Sequence, residues 1–459
     1  MPDTTKTIIF TSLAKYQSDF LIPLAKKLED YGHKVAIVCF HEPSIQYIKN
    51  SGLMVFNPYK MLKKLSIMPD LEDVGIDDIS LAISHEKTVF SLRDSQMLIK
   101  KLRGFVGVMN EVCDQVKSQL GGKVILIQEF GGFISLIAAF YAARHHGIDN
   151  IFMEPSFFQG RIFFVKNSFA ALKIKEERIN QVSNEVHEYI NNVKAKQTVV
   201  IPEKDSHHYR SPWKKIIDLH HFRRLREKLA DKYIHRQSEE FDHIAKYVHS
   251  HIRMVLNRFR FSSFYRELSD QERFVYYPLH VPHDAALTIR SPEYLDQYAL
   301  LDYLARMIPP DHTLVFKEHP ALVGAVDYLR VKKLLRSYDN IKMINPATPN
   351  YDVMKKAVMI VTVNSKSGAE SILLGKPTIV LGDAFYTSSP LVTKVESLKE
   401  LRSIMPKLLL ITERTKEQEI KEYFQCVWDQ SWPGEIYSKD PMQISIMASS
   451  LNQYITASL

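Results

Sequence analysis

Apolar positions along this chain alternate between two rhythms. Consecutive hydrophobic runs at residues 7–12, 33–40 and 53–56 are separated by stretches in which apolar residues recur every three or four positions, at 19–31 and from Glu42 onward. A strand that is apolar throughout has to be covered on both faces, whereas one apolar stripe marks a helix lying on such a sheet. The alternation therefore predicts a parallel sheet between two helix layers. A long helix over 91–120, a strand at 123–130, a helix of small residues ending at Gly147 and a strand at 150–153 continue the same rhythm.

The pattern breaks between about 165 and 270, where charged helical stretches replace apolar runs. From Phe274 it resumes, with strands at 274–279, 313–317, 341–344, 359–363 and 378–381 and helices between them. The fold class predicted is α/β, with two Rossmann-like doubly wound domains facing a cleft. The expected divisions are 1–165 as an N-terminal Rossmann-like domain, 166–270 as a helical insertion or linker, and 271–435 as a C-terminal Rossmann-like domain. A last helix, 436–459, is expected to pack back on the first domain. Ligands of open α/β sheets bind beyond the carboxyl ends of the strands, so candidate chemistry is sought in those loops.

Composition narrows the function classes. The chain has 459 residues, 45% hydrophobic and 24% charged, enough for two packed domains. Its three cysteines, Cys39, Cys113 and Cys426, are too few and too scattered for a disulfide framework or a zinc site, which suits a reducing cytoplasmic setting. No apolar run reaches the roughly 20 residues that span a bilayer, and the N-terminus lacks the pattern of a signal peptide. A protein that stays in the cytoplasm is expected, with peripheral contact at the membrane face as the alternative. The formal charge of +8 suits an anionic partner: a phosphorylated donor, an acidic glycan or an anionic lipid. The basic, aromatic-bearing stretch 207–226 reads first as a solvated helix face and second as a membrane or glycan patch. Nucleic acid is not expected, because no RNP, helix-turn-helix or zinc-finger pattern accompanies the charge.

Three loops follow strands of the second half. Asn364-Ser365-Lys366-Ser367-Gly368-Ala369-Glu370 turns from a strand into a helix, and the helix dipole with two serine hydroxyls suits a phosphate. An ordinary N-cap explains the same serines equally well. Lys317-Glu318-His319-Pro320 emerges at the same sheet edge, where Lys317 or His319 could neutralise phosphate or protonate a leaving group. A surface lysine and a hydrogen-bonded histidine are the plain alternatives. Pro278-Leu279-His280-Val281-Pro282-His283-Asp284 is the third loop; without further ligands it reads as a donor-site wall rather than a metal centre.

Together with Leu374-Gly375-Lys376-Pro377, these motifs resemble the bacterial capsule polysaccharide biosynthesis family over about 270–390. That resemblance implies a GT-B-type glycosyltransferase, its best-understood members transferring Kdo from CMP-Kdo. It implies that His319 and Pro320 hold the cytidine nucleotide, that Ser365 and Ser367 hold the phosphate, and that Glu370 lies near the ribose. The expected donor site thus comprises His280, Lys317, His319, Pro320, Ser365, Lys366, Ser367, Gly368 and Glu370, with no metal and no tightly bound cofactor. His280 stands where relatives often carry glutamine, which leaves the donor open.

The catalytic carboxylate is sought in the first domain. Glu154, following the 151–153 strand, is preferred as base or nucleophile; Glu129, ending the 124–128 strand, is the second candidate, and a salt-bridge or capping role is the alternative for each. The expected function is transfer of an acidic sugar such as Kdo from a CMP donor to a cell-surface glycan or glycolipid. A UDP-sugar transferase or epimerase of the same architecture and a noncatalytic scaffold of a glycan-assembly complex remain as alternatives.

Overall fold

The computed structural model of the chain describes residues 5–196, 225–226, 229–230, 232–234, 244–411 and 416–458. It forms two compact units, one made of residues 1–169, 202–247 and 431–459, the other of 170–201 and 248–430. Most of the basic stretch 207–226 lies outside the described residues.

The first unit is built on strands β1 (Lys6–Ser12), β2 (Lys34–Cys39), β3 (Met54–Phe56), β4 (Lys123–Glu129), β5 (Asp149–Pro155), β6 (Arg161–Lys166) and β13 (Trp432–Pro433). Their order is β13-β6-β5-β4-β1-β2-β3. The five strands from β5 to β3 are parallel, and Ile8, Phe10, Ile37 and Ile127 are wholly buried between helix layers, as their uninterrupted hydrophobicity requires. β6 and β13 are antiparallel additions at one edge. The sequence pattern did not show β6: its FFV core lies only a turn beyond β5, too close for a helical crossover and therefore a hairpin partner. A helix at Ile79–Val89, also unforeseen, precedes the long one, which spans Ser95–Leu120.

The helix Pro441–Ser458 lies against the helix Lys15–Asp30 of the same unit, and its Ile444, Met447, Leu451 and Ile455 join the core around β1 and β2. All three cysteines are buried thiols, and burial pushes Cys39 up to about 11 and Cys113 up to about 12. Such thiols are poor nucleophiles.

The second unit carries β7 (Phe274–Pro278), β8 (Thr313–Lys317), β9 (Ile341–Met343), β10 (Met359–Thr362), β11 (Thr378–Val380) and β12 (Thr393–Lys394), ordered β12-β11-β10-β7-β8-β9 and all parallel. The expected α/β class with two Rossmann-like sheets is borne out. β7 through β9 extend the sheet in one direction; the chain then crosses back to place β10 on the other side of β7. The loops after β7, β8 and β10 are thereby gathered at one topological switch point.

Leu451 is fully buried. Leu451→Ala should cost about 2–5 kcal/mol in urea unfolding, the range for a core leucine truncation; a loss below about 1 kcal/mol would show that the last helix is not integral to the first unit.

Candidate functional site

At the carboxyl edge of the second sheet, Pro278 of β7 stands opposite Lys317 of β8, and β10 flanks β7 on the other side. The serine turn is anchored from several directions. The amide Nδ2 of Asn364 donates to Ala286 O at 2.7 Å and Ser291 Oγ at 3.1 Å, which ties the turn to the segment after β7. Thr362 Oγ1 accepts from Ser365 N at 3.2 Å. Ser365 is the N-cap of the helix Lys366–Leu373, its Oγ accepting from Ser367 N at 3.2 Å, and its carbonyl accepts from the Tyr386 hydroxyl. The capping interpretation is therefore correct as far as it goes. A cap uses a lone pair of the Ser365 hydroxyl, however, and leaves its hydrogen for another acceptor. Gly368 follows because a Cβ there would lie 2.3 Å from the Tyr386 hydroxyl oxygen.

Beneath the turn lies a buried polar network. Lys317 is 3% exposed and donates from Nζ to Thr348 O at 2.8 Å, so the surface-charge alternative is excluded. Burial pulls its pKa down to about 8 against the opposing charge of Glu370. Glu370, likewise 3% exposed, has its carboxyl pushed above the usual range by burial, opposed by the Asn350 hydrogen bond, the charges of Lys366 and Lys317, and Ser367. Glu370 thus serves the interior of the turn rather than its surface. Asn350, the first residue of the helix Asn350–Lys356, connects these groups: its Nδ2 donates to Glu370 Oε2 at 2.9 Å and Ser367 Oγ at 3.1 Å, while its Oδ1 accepts from the Tyr276 hydroxyl at 2.8 Å. Sequence reasoning passed over Asn350, which at a helix start after Thr348-Pro349 looks like a turn residue.

The loop after β8 is held from below. Glu318 is buried, with Oε1 accepting from Gly324 N at 2.8 Å and Oε2 from the Tyr265 hydroxyl at 3.4 Å. Burial raises its pKa to about 7, against those hydrogen bonds and the charge of Arg258. Asn257 Nδ2 donates to Gly324 O and Val326 O, and Arg258 Nε to Val323 O. Gly324 takes φ +87° with Met254 O only 2.2 Å from where a Cβ would stand, so no other residue fits. On this clamped base His319 is half-buried and caps a short 3-10 turn, its Nδ1 accepting from Ala321 N at 3.3 Å, with exposed Pro320 beginning the turn. In the neutral ring the proton then resides on Nε2.

His280 is 6% exposed, and its backbone is fixed by Gln297, which accepts from His280 N at 2.7 Å and donates to His280 O at 3.2 Å. Its imidazole Nε2 is buried without a hydrogen-bond partner. Burial holds its pKa down to about 4, with Asp284 opposing and His319 reinforcing the shift, so the ring is neutral at pH 7. Asp284 caps the helix Ala285–Arg290 by accepting from Ala286 N at 2.9 Å. Among the described residues no group of three or more His, Cys, Asp or Glu is placed to hold a metal ion.

Of the two carboxylates in the first unit, Glu154 lies inside β5, opposite Phe163 of β6, rather than in a loop after the strand. Glu129 ends β4 beside β1, the point where the first sheet reverses its strand order. Its Oε2 accepts from the Tyr437 hydroxyl at 2.6 Å and from Gln17 Nε2 at 3.2 Å. Tyr437 holds φ +62°, a conformation costly for a non-glycine residue, and packs edge-on against Tyr16 and Phe20. No sequence signal marks Tyr437, which lies 308 positions from Glu129.

Residues 185–407 match the family described as capsule polysaccharide biosynthesis protein. That region, just under half of the chain, is what the family resemblance covers. The match begins well before 270, so it takes in much of the stretch that the motifs alone left unassigned. Protein FixF of Sinorhizobium fredii is 31% identical over 134 residues, 29% of this chain and 32% of that protein. The capsule polysaccharide modification protein LipB of Neisseria meningitidis is 28% identical over 135 residues, 28% of this chain and 32% of its own length. The chain thus spans about a third of the length of these curated relatives. Among solved structures, the beta Kdo 2,7 transferase of Thermosulfurimonas dismutans KpsC aligns at 15% identity and TM-score 0.33, over 68% of this chain and 79% of that one. UDP-GlcNAc 2-epimerase from Neisseria meningitidis aligns at 13% identity and TM-score 0.27, over 98% and 100%.

Two outcomes test this geometry. Gly368→Ala should displace the Tyr386 ring or the helix start and cost about 1–3 kcal/mol in thermal or urea unfolding; an unchanged stability contradicts the close approach. Glu318 has a folded pKa of about 7 against an ordinary 4.5, so between those values the native state keeps a proton that the unfolded chain has released. Its contribution therefore declines as pH rises from about 4.5 to about 7, by on the order of 3 kcal/mol, and is level above. Glu318→Gln should lack that decline, and parallel stability-pH curves for the two proteins would refute the assignment.

Proposed function

We propose that this chain is a glycosyltransferase whose second unit holds a nucleotide-sugar donor, with a CMP-activated acidic sugar such as Kdo favoured, and whose acceptor is a surface glycan or glycolipid reached at the cytoplasmic face of the membrane. The observation that carries this is the convergence, at one switch point, of the serine turn, His319-Pro320 and the His280 loop. Ser365 and Ser367 stand at the positive end of a helix, which suits the donor phosphate. His319 and Pro320 take the nucleotide, and neutral His280 forms an uncharged wall beside it. Lys317, Lys366 and Glu370 support the turn from within. The match of residues 185–407 to the capsule polysaccharide biosynthesis family, and the similarity to LipB, a capsule polysaccharide modification protein, support the same reading.

Glu129 is assigned as the base that takes the acceptor hydroxyl proton, because it ends a strand at the first sheet's own switch point and is held in one orientation by Tyr437 and Gln17. Glu154, flanked by a paired strand, is the less suited of the two.

Calorimetric titration should show CMP binding that weakens at least tenfold in His319→Ala and Ser365→Ala, and incubation with CMP-Kdo should release CMP. Preference for UDP would replace the CMP donor by a UDP-sugar; no nucleotide binding together with stable capture of a glycan-assembly partner would favour a scaffold. For the base, Glu129→Gln should lower kcat by about 100-fold or more with donor affinity kept, and Glu154→Gln by less; the reverse order would transfer the role to Glu154.

A further inference from the structure

From Val248 onward the helix Ile244–Phe261 belongs to the second unit, which holds it by one side. On that side Asn257 and Phe261 are buried, and Asn257 Nδ2 donates to Gly324 O at 3.1 Å and Val326 O at 3.0 Å. On the other, Ile252, Leu256 and Phe259 are spaced four and three residues apart and so form one stripe, 56%, 48% and 60% exposed respectively. Exposed Arg253 and Arg260 border it. The helix Tyr328–Ser337 repeats the pattern, with Leu329, 71% exposed, on one stripe with exposed Lys333 and Arg336. Tyr328 joins the two helices: its ring stacks on Phe264 at 5.4 Å and lies 5.4 Å from Arg260 Cζ and 5.8 Å from Lys332 Nζ. Neither helix contains an aspartate or a glutamate. Asp296 is already paired with Arg330, and Glu318, whose charge faces Arg258, is buried.

Single exposed apolar side chains are ordinary, but a stripe of them bordered by cations, with no anion on either helix, calls for a partner. Arginine beside isoleucine, leucine and phenylalanine suits the boundary between lipid headgroups and acyl chains, where the stripe leaves water and the guanidinium groups meet phosphate. We propose that the exposed faces of these two helices dock on an anionic phospholipid surface. Ile252, Leu256, Phe259 and Leu329 enter the headgroup boundary, and Arg253, Arg260, Lys333 and Arg336 pair with lipid phosphates. A protein groove would cover the stripe equally well, but cations on both helices with no carboxylate among them favour a surface of uniformly negative charge. No helix among the described residues is long and apolar enough to cross a membrane, and docking of this kind needs none.

Co-sedimentation of the full chain with vesicles tests the docking, using about 70% phosphatidylcholine with about 30% phosphatidylglycerol, and phosphatidylcholine alone. The parent should bind the anionic vesicles, bind the neutral ones about tenfold more weakly or less, and lose affinity as salt rises. Ile252→Gln, Leu256→Gln and Phe259→Gln together should weaken partition onto anionic vesicles by about tenfold or more. Arg253→Gln with Arg260→Gln should weaken it by about tenfold, whereas Lys399→Gln with Lys407→Gln, an equal loss of charge at exposed positions elsewhere in the unit, should change it by less than about twofold. Each variant should keep the thermal transition and the CMP binding of the parent, so a failure of the donor assignment and a failure of docking are read separately. Should the triple variant lose its transition, Phe259→Gln alone, expected to weaken partition by about threefold, carries the comparison. No binding by the parent, or unchanged binding in the folded apolar variant, overturns the proposal. Equal losses in both charge variants overturn it too, because net charge alone would then drive binding. Self-association of the parent that the apolar variant loses, with vesicle affinity unchanged, would assign the face to a second copy of the chain instead.

Discussion

A parallel strand covered by helices on both faces can carry no uncompensated charge along its length, because nothing there replaces the water that a charged group gives up. Polar chemistry is therefore pushed to strand ends. In the second sheet, β7 lies between β10 and β8, and the chain reverses direction across it, so three strand ends open side by side. The serine turn, the His280 loop and the Lys317-Glu318-His319-Pro320 loop are the consequences of that one crossing. Each is a short polar segment leaving an apolar strand, and each would be unremarkable alone.

Three charged groups that enter the interior of the second unit are used as fasteners. Lys317 is held on the Thr348 carbonyl, Glu370 on the amide of Asn350, and Glu318 on the backbone of Gly324 and the hydroxyl of Tyr265. Burying such groups is costly, and their displaced pKa values measure that cost. What they return is geometry: the loops after β8 and β9 and the start of the helix Lys366–Leu373 are fixed by side chains below them, in addition to the caps that Ser365 and His319 make.

The first unit shows the same economy with different parts. Its parallel core ends in an antiparallel hairpin edge, β6 and β13, and its last helix closes over the β1 side. Through that return Tyr437 reaches Glu129, at the expense of a left-handed backbone. Strain of this kind persists only where the surroundings over-determine it, and here Tyr16, Phe20 and the carboxylate itself hold the ring.

Much of the fold was legible in the residues in order. Continuous apolar runs separated by amphipathic stretches specified two parallel sheets, since burial on both faces leaves no other pattern; Asn364 to Glu370 and Lys317 to Pro320 announced themselves by following such runs. The hairpin strand β6 was not legible, because a short apolar segment beside β5 has no period of its own. Nor was the burial of Lys317 and Glu370, which read as donor-site residues, with a surface lysine as the plain alternative for Lys317. Local sequence determines which segments are strands, which are helices and where polar residues leave a strand, because those depend on near neighbours along the chain. Tertiary structure alone decided that Asn350 would meet Ser367 and Glu370, that Glu318 would seat Gly324, and that Tyr437 would grip Glu129. Those partners are distant in sequence, and only the sheet order and the close approach of loops bring their hydrogen-bonding groups within about 3 Å of one another.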